Sequence, residues 1–230
     1  MKAFLLAAGL GTRLRPLTAT VPKCLVPVRG VPLLRIWLTL CERHGITDVL
    51  VNLHYLADRV REYLAGYSLG VRVHLVYEPV LLGSAGTVRA NQAFVRGEPY
   101  FFIFYADTLT NANLAAIGAL HASRDRVLTM ALARLPNPQS RGIAELDANG
   151  VIVSFVEKPA APRSDLANAG IYVADPRIFA YIPEQPVADF AYDVLPRLVG
   201  KMNGYVITDY LLDIGTPADY AQAEREWEGL

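Results

Sequence analysis

Short, almost uninterrupted apolar runs alternate along this chain with longer stretches in which apolar positions recur at helical spacing. The run Lys2–Ala8 is apolar on both faces, the pattern of a strand buried inside a parallel sheet. Pro32–His44 reads as an amphipathic helix with Gly45 as its stop. A strand is expected over Asp48–Leu53, a helix over Ala57–Ala65, a strand over Val71–Tyr77 and a helix over Ser84–Phe94. Tyr100–Tyr105 is another apolar strand, followed by a helix over Asn113–Ser123 and a strand over Val127–Ala133. Strand alternating with helix predicts an α/β fold, a Rossmann-like, mostly parallel open sheet with helices on both faces.

The second half has a different rhythm. Gly142–Asp147 and Val151–Glu157, joined by Ala148-Asn149-Gly150, predict a β-hairpin with a glycine turn. Asn168–Val173 adds a strand, Asp175–Tyr181 and Phe190–Leu198 add helices, and Tyr205–Leu212 adds a strand again. Thr216 followed by Pro217 opens a last helix. With no internal repeat or low-complexity tract, residues 1–230 read as one domain with halves of roughly 1–125 and 126–230, the second smaller and richer in β-structure.

Composition narrows the classes. Hydrophobic residues make up 53% and charged residues 19%, enough for a sizeable core and against long disorder. Lysine plus arginine and aspartate plus glutamate are both 22, so nothing marks a general binder of nucleic acid or of an anionic membrane. Two cysteines, Cys24 and Cys41, make no disulfide framework and no metal-ligand spacing; Cys24 reads as a small buried hydrophobe in preference to a reactive thiol. Ala3–Ala8 is too short for a signal-peptide core and no stretch is long enough for a membrane span, so a cytosolic protein is expected. His44 precedes Gly45 at a helix end, where a cation favours the helix dipole, and His54, His74 and His121 are isolated and read as scaffold.

The candidate chemistry lies in the loop after the first strand. Gly9-Leu-Gly11 lets the backbone approach a flat base or a phosphate closely, and Arg13, Arg15 and Lys23 add fixed positive charge. A dinucleotide fingerprint fails, because its third glycine would fall at Leu14 and Val49–Leu53 ends without a carboxylate for a ribose. Nothing resembles a P-loop.

The ordered series Leu6-Ala7-Ala8-Gly9-Leu10-Gly11-Thr12-Arg13-Leu14-Arg15-Pro16-Leu17-Thr18, then Pro22-Lys23 and Pro27, resembles the signature of the sugar-1-phosphate nucleotidyltransferases. The resemblance covers nearly the whole chain. Glu78-Pro79 with Leu82-Gly83-Ser84-Ala85-Gly86-Thr87 looks like that family's second base-binding loop. Tyr105-Ala106-Asp107 stands where the family has a strand ending in Gly-Asp, Ala106 being a departure. Glu157-Lys158-Pro159, Asn168-Ala169-Gly170 and Asp213-Ile214-Gly215-Thr216-Pro217 look like the later sugar-side and metal-side motifs.

The resemblance implies transfer of a nucleotidyl group from an NTP to a sugar 1-phosphate, with Mg²⁺ as cofactor. Both partners are anionic, so charge neutralisation and alignment carry the catalysis. Arg13, Lys23, Asp107 and Asp213 would be catalytic, with Asp107 and Asp213 holding the metal. Leu6, Ala7, Ala8, Gly9, Gly11, Thr12, Arg13, Glu78, Gly83, Ser84 and Ala85 would bind the nucleotide, in the first half. Asp107, Gly142, Glu157, Lys158 and Asn168 would bind the sugar phosphate; taken alone, Glu157 and Lys158 read as a solvated pair. The resemblance leans towards GTP with a mannose- or heptose-type 1-phosphate. UTP with N-acetylmuramate 1-phosphate, and dTTP or UTP with glucose 1-phosphate, are the alternatives. The chain's length is expected to leave no room for an appended acyltransferase β-helix. A non-catalytic nucleotide-sugar sensor on the same fold would have lost these cations and carboxylates, and a glycosyltransferase would show an Asp-x-Asp pair where Asp107-Thr108-Leu109 has one carboxylate. No nucleic-acid or membrane partner is expected, and a homo-oligomer stays open.

Overall fold

The protein is described by a computed structural model over residues 1–66 and 70–230. Its chain is divided between two compact units that do not follow sequence order: residues 1–81, 105–111 and 209–230 form the first, and residues 82–104 and 112–208 the second. The α/β class expected from the sequence is the one adopted, with parallel pairing in the first unit and most of the antiparallel pairing in the second.

In the first unit Lys2–Leu6 runs parallel to Asp48–Leu53, which runs parallel to Arg72–Tyr77. Ala3, Phe4 and Leu5 are fully buried, which is why that run is apolar on both faces. Asp48 starts the middle strand and is buried. It accepts hydrogen bonds from Arg72 Nε (2.9 Å) and Nη2 (3.0 Å), from Thr47 Oγ1 (2.9 Å) and from His74 Nε2 (3.0 Å). The Arg72 guanidinium above all holds its carboxyl well below the usual range. Helix Leu33–Arg43 buries Leu33, Leu34, Ile36, Trp37, Leu38, Leu40 and Cys41. Gly45, at φ +71°, supplies the left-handed residue just beyond its end. Helix Pro217–Glu226 opens with the expected cap, Thr216 and Asp219 forming a capping box. Leu14, Val28, Leu33, Ile36, Leu109, Ile214, Ala223 and Trp227 make one buried cluster.

In the second unit Leu166–Ala174 is the central strand. It pairs antiparallel with Phe101–Phe104, with Leu128–Arg134 and, at Ala167↔Ile143, with Gly142–Leu146. Met202–Val206 runs parallel to Leu128–Arg134. The predicted hairpin is present, Gly142–Leu146 against Ile152–Glu157, with Gly150 at φ +75° in its turn.

Several expected elements are corrected. Tyr205–Leu212 is two strands, Met202–Val206 and Leu211–Asp213, because the chain passes from the second unit to the first at Asp209. The helix expected over Ser84–Phe94 is α-helical only over Gly83–Ala90 and continues as a 3₁₀ turn at Gln92–Val95. Asp175–Tyr181 is a 3₁₀ helix over Pro176–Tyr181. Phe190–Leu198 divides into a π-helical turn, Phe190–Val194, and a 3₁₀ turn, Leu195–Leu198. There Pro196 lacks the N–H that an α-helix would need. Cys24 is buried as expected, and burial pushes its thiol up to about 12; Cys41 is buried too. Among the described residues no helix is long and apolar enough to cross a membrane.

Candidate active site

The loop after the first strand folds tightly on itself. Gly11 has φ +63°, and a Cβ there would lie 3.1 Å from Thr18 Cγ2 and 3.3 Å from Lys23 Cβ. Thr18 is fully buried and its hydroxyl donates to the Gly11 carbonyl at 2.6 Å. This closure draws Lys23 back beside the loop and leaves Gly9, Leu10, Thr12 and Arg13 exposed at its crest. The Ala7 N–H does not point outward for a ligand: it donates to Asn52 Oδ1 at 2.7 Å. Asn52 Nδ2 in turn donates to Glu78 Oε1 at 2.9 Å, and His54 Nδ1 donates to the Glu78 carbonyl at 2.7 Å. Glu78 is buried at 2% exposure, so the network fixes a carboxylate beneath the loop. Asn52, a buried polar residue after the apolar run Val49–Val51, was the available signal for this network.

Four charged residues from distant parts of the chain meet in this same unit. Lys23 Nζ contacts Asp107 Oδ2 at 2.7 Å, with side chains 11% and 35% exposed. The Ala106 N–H donates to the Leu6 carbonyl at 3.1 Å, which attaches the Asp107 turn to the end of the first strand. Ala106 is buried and is not among the residues of positive φ, so its departure from glycine leaves Asp107 in place. Asp213 comes from Leu211–Asp213, paired antiparallel with Thr108–Thr110, and the Ile214 N–H donates to the Asp107 carbonyl at 2.9 Å. Gly215 follows. A Cβ there would lie 3.3 Å from Arg13 Nη2 and 3.4 Å from Asp213 Oδ2, so guanidinium and carboxylate close over bare backbone. Gly215 had no place in the expected site except as part of a motif.

The second unit carries the other set. Glu157 is paired with Gly142, and the Ala167↔Ile143 register puts Asn168 on Gly142's other side. Three expected sugar-side positions therefore lie abreast on adjacent strands. Gly142 is required by space: a Cβ would come within 2.6 Å of Glu157 Oε2 and 2.5 Å of Phe155 Cζ. Burial raises the Glu157 pKa, and the Asp189 charge raises it further, against the lowering effect of Lys158 and Arg141. Lys158 has a left-handed backbone (φ 49°), held by its N–H donating to the Arg141 carbonyl at 3.0 Å. Asn168 Nδ2 donates to Tyr172 Oη at 2.7 Å, and Asn168 Oδ1 accepts the Gly170 N–H at 3.0 Å. Gly83, Ser84 and Ala85 begin a helix whose Ala85 and Gly86 N–H groups both donate to the Ala188 carbonyl at 3.0 Å. Arg141 and Asp189 carried no sequence signal, since neither lies in a motif.

The family model for nucleotidyl transferases matches residues 2–228, a span that contains every residue of both sets. The chain belongs to the nucleotidyl transferase family. Among its relatives, a UTP–glucose-1-phosphate uridylyltransferase of Synechocystis is 33% identical over 98% of this chain and 63% of its own. A mannose-1-phosphate guanylyltransferase of Mycobacterium tuberculosis is 33% identical over 97% of this chain and 64% of its own. The chain spans less than two thirds of the length of these curated relatives. A crystal structure of HddC from Yersinia pseudotuberculosis complexed with GMP-PN is 25% identical, with a TM-score of 0.81 and 98% of both chains covered.

Proposed function

We propose that this chain transfers a nucleotidyl group from an NTP to a sugar 1-phosphate, releasing pyrophosphate, and that it does so in the cytosol. One observation carries the reading: Lys23 on Asp107 and Arg13 beside Asp213 and Gly215, all in the unit that holds the glycine loop. An oxygen of the sugar phosphate attacks the α-phosphorus as the bond to the bridging oxygen of pyrophosphate breaks. Arg13 would hold the departing pyrophosphate and spread its charge. Lys23 would neutralise the α-phosphate and the incoming phosphate. Its contact with Asp107 keeps the ammonium positioned before substrate arrives.

Asp107 and Asp213 fit a Mg²⁺ site by donor type and number. They are hard oxygen donors on neighbouring, paired segments, and this ion takes one or two carboxylates and completes its shell with phosphate and water. When bound, the ion would supply further neutralisation of phosphate charge. Glu157 would accept hydrogen bonds from sugar hydroxyls, with Lys158 on the sugar's phosphate and Gly142 and Asn168 beside them.

Glu78 favours guanine. A buried carboxylate only accepts, and guanine offers adjacent N1–H and N2–H donors, whereas uracil and thymine offer one N–H between two carbonyls. GTP is therefore the preferred nucleotide, and the likeness to a mannose-1-phosphate guanylyltransferase supports pairing it with a mannose- or heptose-type 1-phosphate. UTP with glucose 1-phosphate is the second reading, supported by the Synechocystis relative. The test is pyrophosphate release with Mg²⁺ over GTP, UTP, CTP, ATP and dTTP against mannose, heptose, glucose and N-acetylmuramate 1-phosphates. At least one pair should turn over. Lys23→Ala and Asp107→Ala should each lower kcat/KM by about 10²–10³. Folded variants with parental rates would overturn the assignment.

A further inference from the structure

The Gly83–Ala90 helix starts under restraint from a segment 105 positions away in sequence. The Ala188 N–H donates to the Leu82 carbonyl at 2.9 Å, and the Ala188 carbonyl accepts the Ala85 and Gly86 N–H groups. Gly83 has φ +74°, and a Cβ on it would lie 2.4 Å from the Ala188 oxygen, an approach open to glycine alone. Ser84 Oγ donates to Asp189 Oδ2 at 2.9 Å and accepts the Phe190 N–H at 2.8 Å. Asp189 is itself fixed at both ends: Oδ1 accepts the Ala191 N–H at 2.8 Å, and its own N–H donates to Asp193 Oδ2 at 2.7 Å. The Ser84 contact is a charge-assisted bond to a preset carboxylate, stronger than a neutral one.

We propose that Asp189 is a positioning residue for nucleotide binding, fixing through Ser84 the start of the Gly83–Ala90 helix in the conformation that receives the base. This rests on the nucleotidyl-transfer reading. The Ala85 and Gly86 N–H groups are already taken by Ala188, so this loop meets a base by shape and by where its backbone is held. The same carboxylate acts electrostatically on Glu157, so removing its charge touches the sugar side as well.

The test compares the parent with Ser84→Ala, Asp189→Ser, the double variant and Ser84→Thr. Serine at 189 keeps an oxygen to cap the Ala191 N–H while losing reach to Ser84. Equilibrium binding of GTP and UTP with Mg²⁺, thermal midpoint and the pH profile for the sugar 1-phosphate are measured. Each single variant should weaken binding of the preferred NTP about tenfold, with the double variant no weaker than the worse single and Ser84→Thr near the parent. Asp189→Ser should also move the acid limb of the sugar-1-phosphate profile to lower pH, which Ser84→Ala should not do. Singles that leave NTP affinity unchanged, or a double variant whose loss is the product of the two, would overturn the proposal while nucleotidyl transfer stands. A folded parent that binds no NTP would overturn both.

Discussion

At the residue scale, backbone contacts set where the charged groups lie: the Thr18 hydroxyl donates to the Gly11 carbonyl, and bare Gly215 leaves room for the Arg13 guanidinium. Arg13, Lys23, Asp107 and Asp213 stood in ordered motifs, and the first unit gathers them. What holds them, Thr18 on the Gly11 carbonyl and bare Gly215 under the Arg13 guanidinium, depends on backbone direction that spacing does not encode. Glu157 is the residue for which this has the plainest chemical consequence. Its pKa is raised, chiefly by burial, so the ionised form is a stability cost at neutral pH that is relieved as pH falls through that raised value. If ionised Glu157 accepts from sugar hydroxyls, kcat/KM for the sugar 1-phosphate should fall on an acid limb above the ordinary glutamate value of about 4.3. Lys158→Ala, which removes a lowering charge, should move that limb higher still. Gly142→Ala belongs to the same pocket: its Cβ meets Glu157 Oε2, so the KM for the sugar 1-phosphate should rise about tenfold or more, read by steady-state kinetics.

At the element scale, sequence periodicity located Asp48–Leu53 and Ala57–Ala65 to the residue, because each has a single buried pattern and clear stops. It failed at Tyr205–Leu212, where apolar residues resume after Thr208-Asp209 although the two ends pair with different strands, Leu128–Arg134 and Thr108–Thr110. It missed the tiny hairpin Pro27–Val28 with Val31–Pro32, too short to show any period. Asp48–Leu53 and Arg72–Tyr77, two of the parallel strands of the first unit, share a testable electrostatic tie. Asp48 has its pKa lowered, first by Arg72 and also by His74 and Thr47, so its contribution to stability is complete above the unfolded value near 4. That contribution is lost as pH falls through the lower folded value. Asp48→Asn should therefore lower the thermal midpoint at pH 7, and the gap to the parent should narrow progressively below about pH 4. A gap that stays constant with pH would make the residue's role one of shape and not of charge.

At the scale of the whole molecule, the chain's return to its first unit decides the chemistry. Residues 105–111 and 209–230 rejoin 1–81, delivering Asp107 and Asp213 to the cations of the opening loop. Linear order sets Lys23 and Asp107 84 positions apart, and only the motif resemblance connected them in advance. The ligands should therefore act on the fold as a whole. An NTP that binds the folded chain and not the unfolded one stabilises it by about 2.7 kcal/mol at a hundred times its Kd, and a chain of this length gains about 2–4 °C per kcal/mol. A rise of about 5–10 °C is expected with the preferred nucleotide and Mg²⁺ in that excess. If the Glu78 carboxylate selects the base, the rise at equal concentrations should be larger with GTP than with UTP or dTTP, because only guanine brings adjacent donors to it. Glu78→Gln, which trades one acceptor oxygen for a donor, should shrink the GTP shift and narrow its margin over UTP. A larger shift with UTP in the parent would transfer the preference to uridylyl transfer and leave the reaction class intact.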